Sequence, residues 1–351
     1  MKHYPIHSKV DRSISYENRE LLYFSGTSYL GMGNLPEFEE RIIQGIKKYG
    51  ASHGSSRGSN LQLQVYDDFE KYFSEKAGAK RALLFSSGFL AGLAAVKVAK
   101  ASSDLTLVAP DAHPAIFPNE QPPHTSMSFE VWVEQCKSIV QTYEGKHITF
   151  LSNAVDPLKL KIHSFDWLAS LPDTNTYSLL IDDSHAFGLI GNGIFGTYAT
   201  WSHLPANIIT CGSLGKALGI PGGIVLGDED FIGRLEQETM FRSASPPAPS
   251  FYDAFLHSQS LYDQQKARLE ENIRLFKTLT RDISYLKSCE NYPVFAFEDE
   301  TLVEKLEQDN IIISSFPYPE ITDPAVNRIV LSAYHQEKDL RKLAQSLQKC
   351  L

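Results

Sequence analysis

I-I-T-C-G-S-L-G-K-A-L-G-I-P-G-G-I-V-L-G, from Ile208 to Gly227, holds two apolar runs around a glycine-rich loop. Asn207–Cys211 and Gly223–Gly227 read as buried strands, and the small residues between them read as a tight connection. Lys216 is the one cation in that connection, with small or apolar neighbours and no local carboxylate. Such surroundings favour the neutral amine, the nucleophilic form that bonds an aldehyde cofactor. An ordinary lysine on a surface turn is the plainer reading of this loop taken alone. A phosphate-cradling nucleotide loop fails on spacing: Gly212 lies only four residues before Lys216, and Ala217 stands where a magnesium-binding hydroxyl belongs.

Upstream, Ser178 to Gly196 reads S-L-L-I-D-D-S-H-A-F-G-L-I-G-N-G-I-F-G. A short apolar run, Ser178–Ile181, ends in Asp182, Asp183 and His185. Acids and a histidine at the carboxyl end of a buried strand mark the ligand side of an open α/β sheet. D-D-S-H-A-x-G followed by G-S-x-G-K-A-L-G-x-x-G-G resembles the α-oxoamine synthases. These are pyridoxal-phosphate enzymes of the aspartate-aminotransferase-like fold (fold type I) that condense an amino acid with an acyl-CoA. The resemblance implies an α/β architecture: a large domain with a mostly parallel central sheet flanked by helices, plus a smaller α/β domain. It also implies pyridoxal 5'-phosphate as cofactor.

Further motifs extend the resemblance over nearly the whole chain. Y-F-S-G-T-S-Y-L-G-M-G (Tyr23 to Gly33) resembles the family segment lining the amino-acid pocket, which brings in Thr27 and Ser28. Pro36 opens a helix to about Tyr49, with Phe38, Ile42 and Ile46 expected on one face. Y-G-A-S-H-G-S-S-R-G-S-N (Tyr49 to Asn60) places Arg57 in the family's arginine position. L-L-F-S-S-G (Leu83 to Gly88) reads as a strand entering a helix near Phe89, and a helix start is an anion site. In the family the amides matching Gly88 and Phe89 hold the cofactor phosphate, with Ser213 beside the lysine loop. Thr106–Ala109 delivers D-A-H, whose His113 matches the histidine stacked on the cofactor ring. Phe129–Thr142 reads as a helix and His147–Leu151 as a strand. F-R-S-A-S-P-P (Phe241 to Pro247) puts Ser243 where the family's threonine reaches the partner subunit's cofactor phosphate. A long helix, about Ala248 to Thr278, bridges the domains. In N-R-I-V-L-S-A-Y-H (Asn327 to His335), Arg328 matches the arginine that binds the substrate carboxylate. Short strands and helices at Pro293–Phe297, Thr301–Gln308, Ile311–Ser314, Arg328–Ser332 and Glu337–Gln348 complete the chain.

The implied roles follow residue by residue. Lys216 holds the cofactor and moves the substrate proton, Asp182 keeps the pyridine nitrogen protonated, His185 bonds the ring oxygen and His113 covers a face. Arg328 offers a planar fork suited to a carboxylate. One segment departs from the family: L-S-N-A-V-D-P-L (Leu151 to Leu158) lacks its M-D-G, and Asn153 stands near the usual acid. L-alanine with a pimeloyl thioester is the favoured substrate pair. Glycine- or serine-using members, an aminotransferase of the same fold, and a cofactor-holding protein with little catalysis are the alternatives.

Composition bounds the rest. At 351 residues, 42% hydrophobic and 21% charged, the chain has room for two domains. Residues 1–35 are expected to join a small domain with 271–351, and 36–270 to form the large one. A net charge of −9 with no basic run argues against nucleic acid. No apolar run reaches membrane length and the N-terminus lacks a signal-like apolar core, so a cytoplasmic protein is expected. Cys136, Cys211, Cys289 and Cys350 lack metal spacing. The expected assembly is a homodimer with shared sites.

Overall fold

The computed structural model describes residues 3–117, 127–317 and 322–349; Cys350 lies outside them. The chain divides into two compact units, Glu37–Asp156 with Ile162–Gln259, and Met1–Pro36 with Pro157–Lys161 and Ser260–Leu351.

The first unit is built on a six-stranded sheet. Its strands are β1 (Arg81–Phe85), β2 (Leu105–Val108), β3 (His147–Asn153), β4 (Thr176–Asp182), β5 (Asn207–Ser213) and β6 (Gly223–Gly227), in the order β1-β6-β5-β4-β3-β2. β2, β3, β4 and β5 are mutually parallel. β6 runs antiparallel to both β5 and β1, so β1 keeps the direction of the other four. Five strands therefore end at one edge. The register aligns Asn153 with Asp182 and Asp182 with Cys211, a row across that edge.

These strands are near-continuous apolar runs because helices cover the sheet. The helix α1 (Gly88–Ala101) follows β1. Ser87 caps it by accepting a hydrogen bond from Leu90 N at 3.2 Å. Its sequence is apolar nearly all round, as a buried helix requires. Ala91, Ala94, Ala95 and Val98 pack with Leu83, Leu151, Leu180, Ile209 and Val225 of the sheet in one core cluster. A second layer is aromatic: Phe69 and Phe73 of the helix Gln64–Ala77 meet Tyr252, Phe255, Phe187 and Phe195 edge-on or tilted. Arg57 is held by Glu70 at 2.8 and 3.0 Å, and Glu70 also accepts from Leu84 N, so this buried pair ties the 50–63 loop to β1.

The second unit carries its own six-stranded sheet. Its order is Ser13–Tyr16, Arg19–Phe24, Ile311–Pro317, Ala325–Val330, Val294–Phe297, Lys287–Ser288, all antiparallel except Arg19–Phe24 with Ile311–Pro317. The helices Gln259–Leu279, Thr301–Gln308 and Glu337–Gln348 belong to it. Its most constrained side chain is His335. The ring stacks on Phe24 (centroids 4.1 Å apart), accepts from Ser332 N at 2.9 Å and bonds Tyr23 O at 2.9 Å.

Two expectations need correction. The expected 31-residue-scale bridge helix is two helices, Pro249–Leu256 and Gln259–Leu279. Arg41 binds the His257 carbonyl and, at 2.9 Å, Ser258 Oγ, while Ser258 Oγ donates to Ala254 O; the helix breaks there without proline or glycine. In the helix Pro36–Tyr49 the buried positions are Phe38 and Gly45, and Ile46 is exposed. Gly45 faces inward because a Cβ there would lie 2.8 Å from Ser250 Cα and O.

Candidate active site

The common edge of β1–β5 gathers most of the expected residues. Asp182 ends β4 with its carboxylate buried, and Oδ1 accepts from Ser184 N at 2.8 Å. Ser184 Oγ in turn accepts from Ser213 N at 2.8 Å, which couples the turn after β4 to the loop carrying Lys216. Lys216 is half-buried in the turn between β5 and β6, and its carbonyl accepts from Gly219 N at 3.2 Å. His185 is half-buried just past the Asp182 turn.

His113 arrives from the loop after β2. Its Nδ1 accepts from Ala115 N at 3.2 Å, so in the neutral ring the proton sits on Nε2. Burial lowers its pKa, with the Asp182 carboxylate opposing and the Lys216 ammonium reinforcing that shift. His113 thus lies within electrostatic reach of both groups. A ring of bonds holds it there. Asn153 Oδ1 accepts from His113 N at 3.0 Å while Asn153 Nδ2 donates to Asp111 O. Asp111 Oδ2 meets His163 Nε2 at 2.7 Å. His163 N donates to Ala154 O and Ala154 N to Asp182 O, each at 3.0 Å. His163 and the roles of Asp111 and Asn153 in this ring were not expected from sequence, since the partners lie 40 to 52 residues apart.

Gly88 and Phe89 open α1 at the same edge, where first-turn amides lack partners within the helix. The approach is close: a Cβ on Gly88 would lie 2.6 Å from Ser213 Cα and Cβ, and one on Gly223 would lie 2.5 Å from Gly88 Cα. Asp183, directly behind Asp182, is fully buried and takes two bonds of 2.7 Å from Thr197 N and Oγ1; burial still pushes its pKa up to about 7.

The other expected residues fall elsewhere. Ser243 ends the short helix Thr239–Arg242 and is exposed, so it is not the start of the helix that follows. Thr27, Ser28 and Arg328 belong to the second unit. Ser28 O accepts from Ser332 Oγ at 2.6 Å, and Tyr29 beside it senses the Arg328 charge. Arg328 donates through Nη1 to Pro157 O at 3.3 Å and lies 5.6 Å from the Phe316 ring centre. Its buried Nε has no hydrogen-bond partner.

Among the described residues no cluster of three metal-ligating side chains occurs, and no helix is long and apolar enough to cross a membrane. The donor set instead suits a flat, charged organic cofactor: an acid, a lysine and a histidine converge beside a helix start.

A family model described as aminotransferase class I and II matches residues 164–347. The 8-amino-7-oxononanoate synthase of Nitrosospira multiformis is 26% identical over 364 residues, covering 96% of this chain and 88% of its own. A solved structure of SPT with PLP superposes at a TM-score of 0.82 and 14% identity, covering 99% of this chain and 92% of that one. The 8-amino-7-oxononanoate synthase structure from Francisella tularensis gives a TM-score of 0.69 at 23% identity, covering 94% and 97%. The fold is therefore that of the pyridoxal-phosphate transferases of fold type I, as the motifs implied.

Proposed function

Because the chain belongs to the aminotransferase class I and II family, we propose that it is a pyridoxal-phosphate-dependent C-acyltransferase. It would condense L-alanine with a pimeloyl thioester, releasing carbon dioxide and the free thiol and forming 8-amino-7-oxononanoate, a step of biotin synthesis. The observation that carries this reading is the meeting of Lys216, Asp182 and His113 at one sheet edge beside the start of α1. Relatives that match nearly the full length and bear the name 8-amino-7-oxononanoate synthase support the choice of substrates.

When bound, pyridoxal phosphate supplies an electron sink for charge developing at the carbon beside an amino group. The chain's residues would do the rest. Lys216 Nζ would hold the cofactor and, once released by the substrate amine, would be the base that takes the proton from the substrate α-carbon. Asp182, buried at the end of β4, would keep a proton on the ring nitrogen through a hydrogen bond. His185 bonds the ring oxygen. His113, held neutral with its proton on Nε2, covers one face and can donate from that atom. The amides of Gly88 and Phe89, with Ser213, hold the phosphate at the helix start. Ser243 of a second copy would complete that anchor, so the working form would be a homodimer, acting in the cytoplasm in this reading. Arg328, whose Nε is unpaired, takes the substrate carboxylate, and Thr27 and Ser28 line the amino-acid pocket. In this reading the first unit is the large cofactor domain and the second the small domain.

Product analysis tests it. The full chain with pyridoxal phosphate is incubated with alanine or glycine, and with pimeloyl-CoA, acetyl-CoA or a 2-oxo acid. Aminoketone and carbon dioxide from alanine and pimeloyl-CoA are expected. Aminoketone from glycine and acetyl-CoA only, keto-acid exchange only, or no product would each overturn the assignment.

A further inference from the structure

We propose that His163, acting through Asp111 and Asn153, is a positioning residue that fixes the His113 ring beside Asp182. This rests on the cofactor reading above for its consequence, but not for its geometry. His163 is buried, and its ring stacks on Phe129 with centroids 3.7 Å apart and planes 15° off parallel. That stack sets the direction of Nε2–H, which donates to Asp111 Oδ2 at 2.7 Å. Asp111 sits two residues before His113, and its other oxygen, Oδ1, is buried without a partner. Among the described residues the His163 bond is the one side-chain hydrogen bond on this carboxylate, and its loss would leave both oxygens without such a partner.

Asn153 closes the device. Its amide accepts from His113 N and donates to Asp111 O, so one planar group grips both ends of the Asp111–His113 turn. An amide can both accept and donate here, whereas an ionised carboxylate has no donor. On the other side, the Ala154 backbone accepts from His163 N and donates to Asp182 O. The two faces of the site, Asp182 and His113, are thus tied through one continuous path. The chain carries Asn153 near the position where its family resemblance places an acid. The ring explains why an acid does not suit this chain.

The test uses the full chain with three variants: His163→Phe, His163→Gln and Asn153→Asp. Phenylalanine keeps the stack and removes the donor; glutamine restores a donor toward Asp111. Two readouts are taken. The first is the ring-nitrogen resonances of His113 in isotope-labelled chain without cofactor. The second is the dissociation constant and visible circular dichroism of added pyridoxal phosphate. His163→Phe and Asn153→Asp are expected to shift or broaden the His113 resonances and weaken cofactor binding roughly tenfold, the scale of one lost buried hydrogen bond. They should also reduce the dichroism per bound cofactor, while His163→Gln restores it at least in half. His113 resonances unchanged in both damaging variants would overturn the proposal, as would His163→Gln behaving like His163→Phe. If His163→Phe does not fold, Asn153→Asp, which removes no volume, decides by the same criteria. A chain that binds no pyridoxal phosphate would defeat the proposed function, yet the His113 resonances would still judge this inference.

Discussion

Gly88→Ala probes the phosphate cradle by adding one methyl group. A Cβ at Gly88 would lie 2.6 Å from Ser213 Cα and Cβ and 2.7 Å from Ser213 N. Carbon atoms rest at about 3.5–4.0 Å, so α1 or the end of β5 must move by about 1 Å. Neither has room to give. Gly223 presses on Gly88 from β6, and Gly92, one turn along α1, already packs on Ala115, where a Cβ would meet backbone at 2.9 Å. Overpacking of this kind costs about 1–3 kcal/mol in stability. The same movement pulls the first-turn amides away from a bound phosphate. Losing one charge-assisted bond, about 1.5–3 kcal/mol, corresponds to roughly 10- to 100-fold weaker cofactor binding. Fluorescence titration of the cofactor-free chain with pyridoxal phosphate, paired with thermal unfolding, reads both effects. Gly233→Ala is the control: its Cβ would meet nothing within 4 Å in the helix Glu229–Glu236, so it should raise stability by up to about 1 kcal/mol. A Gly88→Ala chain with unchanged affinity and unfolding temperature would refute the cradle.

Asp182→Asn should fold, since an amide oxygen can still accept from Ser184 N. Exchange of the substrate α-proton for solvent deuterium should collapse, and near-normal exchange would remove Asp182 from its role. Burial depresses the His335 pKa from 6.5 to about 4, so the native state resists a proton that the unfolded chain accepts. Stability on this account is full above pH 6.5 and falls as pH drops toward 4, by about 3 kcal/mol over the window. Asp183, raised to about 7, acts in the opposite direction between its ordinary 3.8 and that value. The difference between wild type and His335→Gln in denaturant midpoints at pH 4.5 and 7 isolates the histidine, and parallel pH profiles would contradict it. Mixing inactive Lys216→Ala chains with inactive Ser243→Glu chains should restore part of the activity, because one site of each heterodimer receives neither change. Full activity in a sedimenting monomer would contradict the shared site.

Much of this was legible because the signals are local. The apolar runs ending at Asp182 and before Ser213 are strands whose carboxyl ends must face a ligand edge, and the helices Thr301–Gln308 and Glu337–Gln348 have the expected bounds. What sequence did not reveal depends on partners distant along the chain. The break at His257–Ser258 is made by Arg41, more than 200 residues earlier. The inward face of Pro36–Tyr49 is set by Ser250 pressing on Gly45, against the apolar pattern of Ile42 and Ile46. The His163–Asp111 pair, 52 residues apart, carries no motif spacing at all. A lone histidine after a short strand reads as structure until its carboxylate partner is in view.

The most direct measurement is borohydride reduction of the chain loaded with pyridoxal phosphate, followed by peptide mapping. Lys216 sits in the loop between β5 and β6, at the edge that also carries Asp182 and within electrostatic reach of His113. The account predicts a single stoichiometric cofactor adduct on the peptide containing Lys216, lost in Lys216→Ala. An adduct on another lysine, or no adduct in a chain that binds the cofactor, would contradict it.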